Sequence, residues 1–297
     1  MTSLYLVDSS IYVFRGWFSL PDSLINQDGH SNNALIGFSD FVYHFLHNEK
    51  PRHVVFTFDE SLKHSTRKTI YPEYKANRAP APEDLKRQFQ WCRDWVQALG
   101  ITQVASDRHE ADDLVGTLAE IHRSELCNII ILTADKDLDQ LIRKDDFWWS
   151  FATGQKLNYR ALVKKFGVKP EQIADQLALA GDKVDNIPGI PGVGMAIAGR
   201  LLTKFETLTN LRENLQQVKL MKFRGSERIM RLLIEHESVL DISSQLTPIN
   251  CQVDSMKNVQ IDKSKVDEEK LMNMMQYHKM GDSRQQKWLQ LINSKTI

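Results

Sequence analysis

Five short runs rich in β-branched and aromatic residues, at 4–7, 54–58, 101–104, 129–132 and 147–151, alternate with stretches of helical spacing. Leu85, Phe89, Cys92, Val96 and Leu99 form one apolar stripe, introduced by Pro82 and stopped by Gly100. Phe38, Phe41, Val42, Phe45 and Leu46 form another, and Leu114, Leu118 and Ile121 a third. Strands alternating with helices predict an α/β fold, a mostly parallel central sheet flanked by helices. Beyond residue 155 strand signals fade, while Phe166, Ile173, Leu177, Leu201, Leu202, Leu232 and Leu233 keep helical spacing between polar and Gly/Pro turns. The expected organisation is an α/β domain over 1–155 and a helical region over 156–297, helical at most towards its end.

The acids fall at the ends of those runs. Asp8 follows the first, Asp59 the second, and Asp135 and Asp137 the fourth. Ligands of an open parallel sheet bind beyond the carboxyl ends of its strands, so these four acids are expected in one crevice. Glu110, Asp112 and Asp113 stand just before the third stripe, and Asp182 and Asp185 open the helical region. Singly, each has an ordinary explanation as a turn residue, a helix cap or a complement to a helix dipole. Together they would repel strongly unless protons or cations neutralise them. Hard oxygen ligands select Mg²⁺ or Mn²⁺. Cys92, Cys127 and Cys251 are widely spaced with no CxxC, which argues against zinc ribbons and disulfide frameworks. The chemistry that fits is metal-dependent phosphoryl transfer or phosphoester hydrolysis.

A net charge of zero conceals local patterning. Between Ser61 and Pro80, Lys63, Arg67, Lys68, Lys75 and Arg78 face Glu73 alone, with Tyr71 and Tyr74 interleaved. Cations for phosphates and rings for bases suit a single nucleic-acid strand, although a solvated loop would also read this way. Further on, the glycine-rich turn 187–194 precedes a helical stretch over 196–205. Arg200, Lys204, Arg212, Lys219, Lys222, Arg224, Arg228 and Arg231 then outnumber Glu206, Glu213 and Glu227. Backbone N–H groups at such a turn can approach a phosphate, so a clamp on a nucleic-acid backbone is expected. With no strand before it, this turn is not a dinucleotide fingerprint.

These residues resemble the bacterial and phage 5′-nucleases, including the 5′→3′ exonuclease domain of DNA polymerase I, relatives of the flap endonucleases. The motifs are Leu6-Val7-Asp8, Phe58-Asp59, Tyr74-Lys75-Ala76-Asn77-Arg78, Glu110-Ala111-Asp112-Asp113, Thr133-Ala134-Asp135-Lys136-Asp137 and Gly181-Asp182-Lys183-Val184-Asp185-Asn186, in family order to about residue 240. The resemblance implies a PIN-like fold with a helix–three-turn–helix element near 181–205, and a magnesium-dependent 5′→3′ exonuclease or flap endonuclease of replication or repair. Asp8, Asp59, Glu110, Asp112, Asp113, Asp135 and Asp137 would hold or support metal ions, with Asp182 and Asp185 completing a second site. Lys75 and Arg78 would be the catalytic cations below an arch at 61–82, Tyr74 would stack on a nucleotide, and Arg15 would contact a phosphate. Gly192, Gly194 and Arg200 would bind duplex, with potassium on the backbone of Gly189, Ile190 and Gly192. Expected partners are DNA flaps, nicks and free 5′ ends.

Ser9 stands where the family has a glycine, and His109 where an aromatic or small residue is common. Ala196 and Ile197 replace the usual lysine and threonine, which implies weaker, more salt-sensitive duplex binding. With the chain ending at Ile297, a stand-alone monomer without a polymerase portion is expected. The absence of a signal peptide or an apolar span points to the cytoplasm. The competing readings are a metal-dependent phosphatase of small phosphoesters and a nucleic-acid-binding relative without catalysis.

Overall fold

The computed structural model describes residues 2–60, 64–124 and 127–294; Ser61 and Lys63 of the basic segment, the side chain of Cys127 and the terminal Ile297 lie outside the described residues. One sheet holds six strands: β1 (Thr2–Asp8), β2 (His53–Asp59), β3 (Thr102–Ser106), β4 (Cys127–Leu132), β5 (Phe147–Ser150) and β6 (Gln155–Asn158). Their order is β3-β2-β1-β4-β5-β6. Neighbours are parallel except β5 and β6, which run antiparallel. Chain order reverses at β1, which opens a crevice beyond the ends of β1 and its neighbours.

The helices are α1 (Ser9–Ser19), α2 (Asn33–Glu49), α3 (Thr66–Ile70), α4 (Glu83–Ala98), α5 (Ala111–His122), α6 (Tyr159–Phe166), α7 (Ile173–Ala180), α8 (Met195–Phe205), α9 (Leu208–Glu213), α10 (Leu215–Val218), α11 (Ser226–Glu235), α12 (Glu237–Leu246), α13 (Glu268–Tyr277) and α14 (Asp282–Asn293). The central strands are apolar on both faces because both are covered. Tyr5, Val7, Val54, Phe56 and Phe58 pack with the stripes of α2 and α4, whereas Leu4, Leu6, Val55, Ile129 and Ile131 pack with Leu114, Val115 and Leu118 of α5. A separate core joins α7, α8, α9 and α11 through Ile173, Leu177, Leu201, Leu202, Leu211 and Leu233.

Two expected boundaries move. β6 is an edge strand of four mostly polar residues, so its pattern carries no strand signal; Lys156 lies over the rings of Phe147 and Trp149, at 4.8 and 5.1 Å. It and α6, whose Leu162 is buried in the core under α5, extend the α/β unit past residue 155. The chain end also departs from the expected helical region. Leu271, Met275, Met280, Trp288 and Leu291 return to the first core, where Trp288 packs edge-on against Trp95 and Tyr43, at 5.2 and 5.5 Å. Among the described residues no helix is long and apolar enough to cross a membrane.

Candidate active site

β1 ends at Asp8, whose backbone also caps α1. Thr133, just past β4, donates a 2.8 Å hydrogen bond to Asp8 and accepts the backbone N–H of Asp135. Asp135 in turn accepts the N–H of Asp137, and Trp148 on β5 donates its indole N–H to the Asp135 carbonyl. At the end of β2, Asp59 accepts the hydroxyl of Ser10 at 2.8 Å and the N–H of Ala111 at 2.9 Å, bracing α1 against α5. Strand ends, hydroxyls and helix starts thus aim the carboxylates at a common space.

Burial and mutual repulsion raise the proton affinity of several of them. Asp8 is pushed up to about 8, by burial first and then by the charges of Asp59 and Asp135, against the hydrogen bond from Thr133. Burial, followed by Asp135, Asp8 and Asp59, holds Asp112 well above the ordinary carboxylate range, while Lys75 lowers it. Asp137 is pushed up to about 7 by burial, then by Asp135, Asp182 and Asp185. Asp135 therefore links the two ends of the expected acid set.

The second end carries cations. Tyr74-Lys75-Ala76-Asn77-Arg78 lies on the loop that follows α7. The Lys75 N–H bonds to the Asp185 carbonyl at 3.0 Å, Asn77 donates to the Lys183 carbonyl at 3.0 Å, and Asn186 donates to the Glu73 carbonyl at 2.7 Å. Lys75 adopts a left-handed φ of 54°, an uncommon conformation for a side-chain-bearing residue. Its ammonium, buried below Tyr74, pairs with Glu110 and lies 3.5 Å from Asp185. Arg78 pairs with Asp185 and Lys136 with Asp182, the latter at 3.1 Å. A small cavity of about 20 Å³, room for one water-sized particle, is lined by Tyr74, Glu110, Asp112, Asp137 and Asp185 among others.

Two expected roles are corrected. Asp113 turns away from the crevice: its oxygens take both Arg67 terminal nitrogens, at 2.8 and 2.9 Å, and the backbone N–H groups of Glu110 and Asn250. With both oxygens so engaged, it is a helix-capping and core residue rather than a metal ligand. Tyr74, expected to stack on a nucleotide, is only 3% exposed, its hydroxyl set between Glu110 and Asp185 at 3.2 and 3.3 Å. A buried ring cannot offer a face to a base. The acids also fall short of a ready cage: among the described residues no three His, Cys, Asp or Glu side chains are disposed to hold a metal ion. Lys75, Arg78 and Lys136 stand instead against Glu110, Asp185 and Asp182.

Sequence reasoning missed Ser10, Thr133, Lys136 and Arg67. The first three neighbour expected acids in the chain, which is a usable signal. Arg67 was one cation among several, and nothing in its spacing foretells burial. Arg15 is exposed on α1. Gly189, Ile190, Gly192 and Gly194 form the turn between α7 and α8. An added Cβ on Gly189 would lie 2.2 Å from the Gly181 nitrogen, so only glycine fits there. Arg200 is exposed over the Phe223 ring, and the Arg228 guanidinium lies beside Gly192. Ala196 is exposed and Ile197 half-buried.

The family described as "5'-3' exonuclease, N-terminal resolvase-like domain" matches residues 3–167, and "5'-3' exonuclease, C-terminal SAM fold" matches residues 168–270. The chain belongs to the 5′-3′ exonuclease family. A 5'-3' exonuclease of Aquifex aeolicus is 36% identical over 214 residues, 72% of this chain and 73% of that protein. The thermostable DNA polymerase I of Thermus caldophilus is 36% identical over 249 residues, 84% of this chain but only 29% of the polymerase. Among solved structures, T5 5'-exonuclease with bound divalent metal ions (zinc) superposes with a TM-score of 0.65 at 19% identity, covering 93% of this chain and 99% of that one. That likeness establishes the shared fold: a mostly parallel sheet with flanking helices, followed by a helical SAM-like part.

Proposed function

We propose that this family member is a divalent-metal-dependent, structure-selective 5′-nuclease that hydrolyses DNA phosphodiesters at flaps, nicks and free 5′ ends. The observation that carries this reading is the placing of Asp8, Asp59, Asp135 and Asp137 beyond β1, β2 and β4, next to the basic 74–78 segment paired with Glu110 and Asp185. Buried carboxylates that raise one another's affinity for protons will also accept a cation. The Oδ1 atom of Asp137 is buried without a hydrogen-bond donor, which fits an ion; the Oε1 atom of Glu110 also lacks one and has the Arg67 guanidinium 3.7 Å away. Asp8, Asp112, Asp135 and Asp137 would hold it, with Asp59 bracing the set and Glu110, Asp182 and Asp185 serving a second ion.

Carboxylate oxygens favour Mg²⁺ or Mn²⁺, which when bound stabilise the attacking and leaving oxygens of an in-line displacement. The chain's own groups do the rest. Arg78 is half-exposed at the rim, where its guanidinium can take a phosphate oxygen bidentately. Lys75 places a positive charge where phosphoryl charge develops. Tyr74 fixes the spacing of Glu110 and Asp185 as a positioning residue. Arg15 on α1 would meet a strand phosphate. On the helical side, the N–H groups of Gly192 and Gly194, with Arg200, would hold duplex backbone, and the carbonyls of Gly189, Ile190 and Gly192 could seat potassium. We place the enzyme in the cytoplasm as a monomer; its free Cys92 and Cys251 support a reducing compartment.

The test uses 5′-labelled flap, nicked and blunt duplexes incubated with Mg²⁺ or chelator, with product lengths read on a gel. Short labelled products with Mg²⁺ alone are expected. Binding without metal-dependent cutting, or phosphate release from p-nitrophenyl phosphate with intact DNA, would overturn the reading.

A further inference from the structure

The acids of the crevice divide by what faces them. Among the described residues, Asp8, Asp59, Asp112, Asp135 and Asp137 form no ion pair with a basic side chain; hydroxyls, backbone N–H groups and one another are their contacts, and Lys75 and Lys136 act on Asp112 and Asp137 only from beyond pairing distance. Glu110, Asp182 and Asp185 each carry one or more: Lys75 on Glu110 and Asp185, Arg78 on Asp185, Lys136 on Asp182, and the buried Arg67 at 3.7 Å from Glu110, a fixed charge committed to Asp113. We propose that Lys75, Arg78 and Lys136 act as a latch on this second half, so that in DNA-free protein a first divalent ion gathers the acids that carry no ion pair and a second enters only as these cations let go. The inference rests on the metal-dependent reading above.

The three cations are unequally held. Lys75 is 9% exposed and its backbone N–H bonds to the Asp185 carbonyl, so it is the most firmly held of the three. Arg78 and Lys136 are about half exposed, at 49% and 51%, so water screens their pairs and they open at little cost. Lys136 pairs with Asp182 and also feels the charges of Asp137 and Asp135, so it bears on both halves. A cation entering near Asp182 and Asp185 must displace these positive charges or sit beside them. A DNA phosphate offers all three an alternative anion and thereby frees the carboxylates. Metal loading of the second half would then be coupled to substrate, restraining cutting until DNA is seated.

The experiment is calorimetric titration of Mn²⁺ into the DNA-free full chain, wild type against Lys136→Met, Lys75→Met and Asp135→Asn, with thermal melts confirming folding. Wild type is expected to bind one ion, with a second at least about tenfold weaker; Lys136→Met should tighten the second about fivefold and Lys75→Met about tenfold. Lys136 is surface-exposed, so its variant decides the matter if Lys75→Met does not fold. Two equal ions in wild type, or unchanged second-ion affinity in Lys136→Met, overturn the latch while leaving the metal-dependent reading intact. No Mn²⁺ uptake by wild type, or an Asp135→Asn isotherm identical to it, overturns both.

Discussion

Arg67 makes four hydrogen bonds: three buried, two of them to Asp113 and one to the Leu246 carbonyl, and a part-buried one to the Pro248 carbonyl. It ties the basic segment to the start of α5 and to the end of α12. Replacing it with Met leaves Asp113 buried and unpaired, so stability should fall by about 3–5 kcal/mol, read from urea unfolding. Arg67→Lys should recover little, because an ammonium cannot reproduce the planar two-pronged contact. Asp135 behaves in the opposite sense. Its charge raises the proton affinity of Asp8, Asp112 and Asp137. Asp135→Asn should therefore abolish cleavage while raising the metal-free melting temperature at neutral pH. A variant that cuts normally, or melts lower, contradicts the assigned repulsion.

At the scale of elements, α13 and α14 close a side of the α/β unit. Trp288, 1% exposed, sits between Trp95 of α4 and Tyr43 of α2, and Arg284 forks onto Asp40 of α2 at 2.7 and 2.8 Å. Trp288→Ala should cost about 3–5 kcal/mol through the cavity it leaves, seen as an earlier urea midpoint. Because the acids are built on the other elements, metal binding in the folded variant should be unchanged. Loss of stability below about 1 kcal/mol would mean that the closing helices contribute little. The turn between α7 and α8 acts differently: Gly181 and Gly189 let two backbone segments meet where a side chain would clash, which holds Asp182 and Asp185 against the 74–78 segment.

For the whole molecule, the acid crevice couples stability to pH and to cations. Asp8 at about 8 and Asp137 at about 7 lie above the unfolded carboxylate value of 3.8. The folded chain therefore holds more protons than the unfolded one between these limits. Their contribution to stability is complete below about pH 4 and is lost as pH rises through 7 to 8. Without metal, this contribution should lower the melting temperature between about pH 6 and pH 8.5, and millimolar Mg²⁺ or Mn²⁺ should reverse the loss most at the higher pH. Equal melting shifts with metal at both pH values would contradict the coupling. Net charge of zero gives no hint of this, since it averages over a chain whose acids meet beyond the ends of β1, β2 and β4.

Period and position in the sequence were enough to place β1 to β5, the stripes of α2, α4 and α5, and the acids at strand ends, because each depends only on neighbours within a turn or a strand. The family motifs carried the basic 74–78 segment and the loop at 181–186 in the same way. Contacts between distant segments were beyond that reach. Only packing decided that Asp113 faces Arg67, that Tyr74 is buried, that β6 extends the sheet, and that α14 returns to the first core. Each of these turns on which of several chemically adequate partners a side chain meets, and the chain's three-dimensional path, rather than its local pattern, selects that partner.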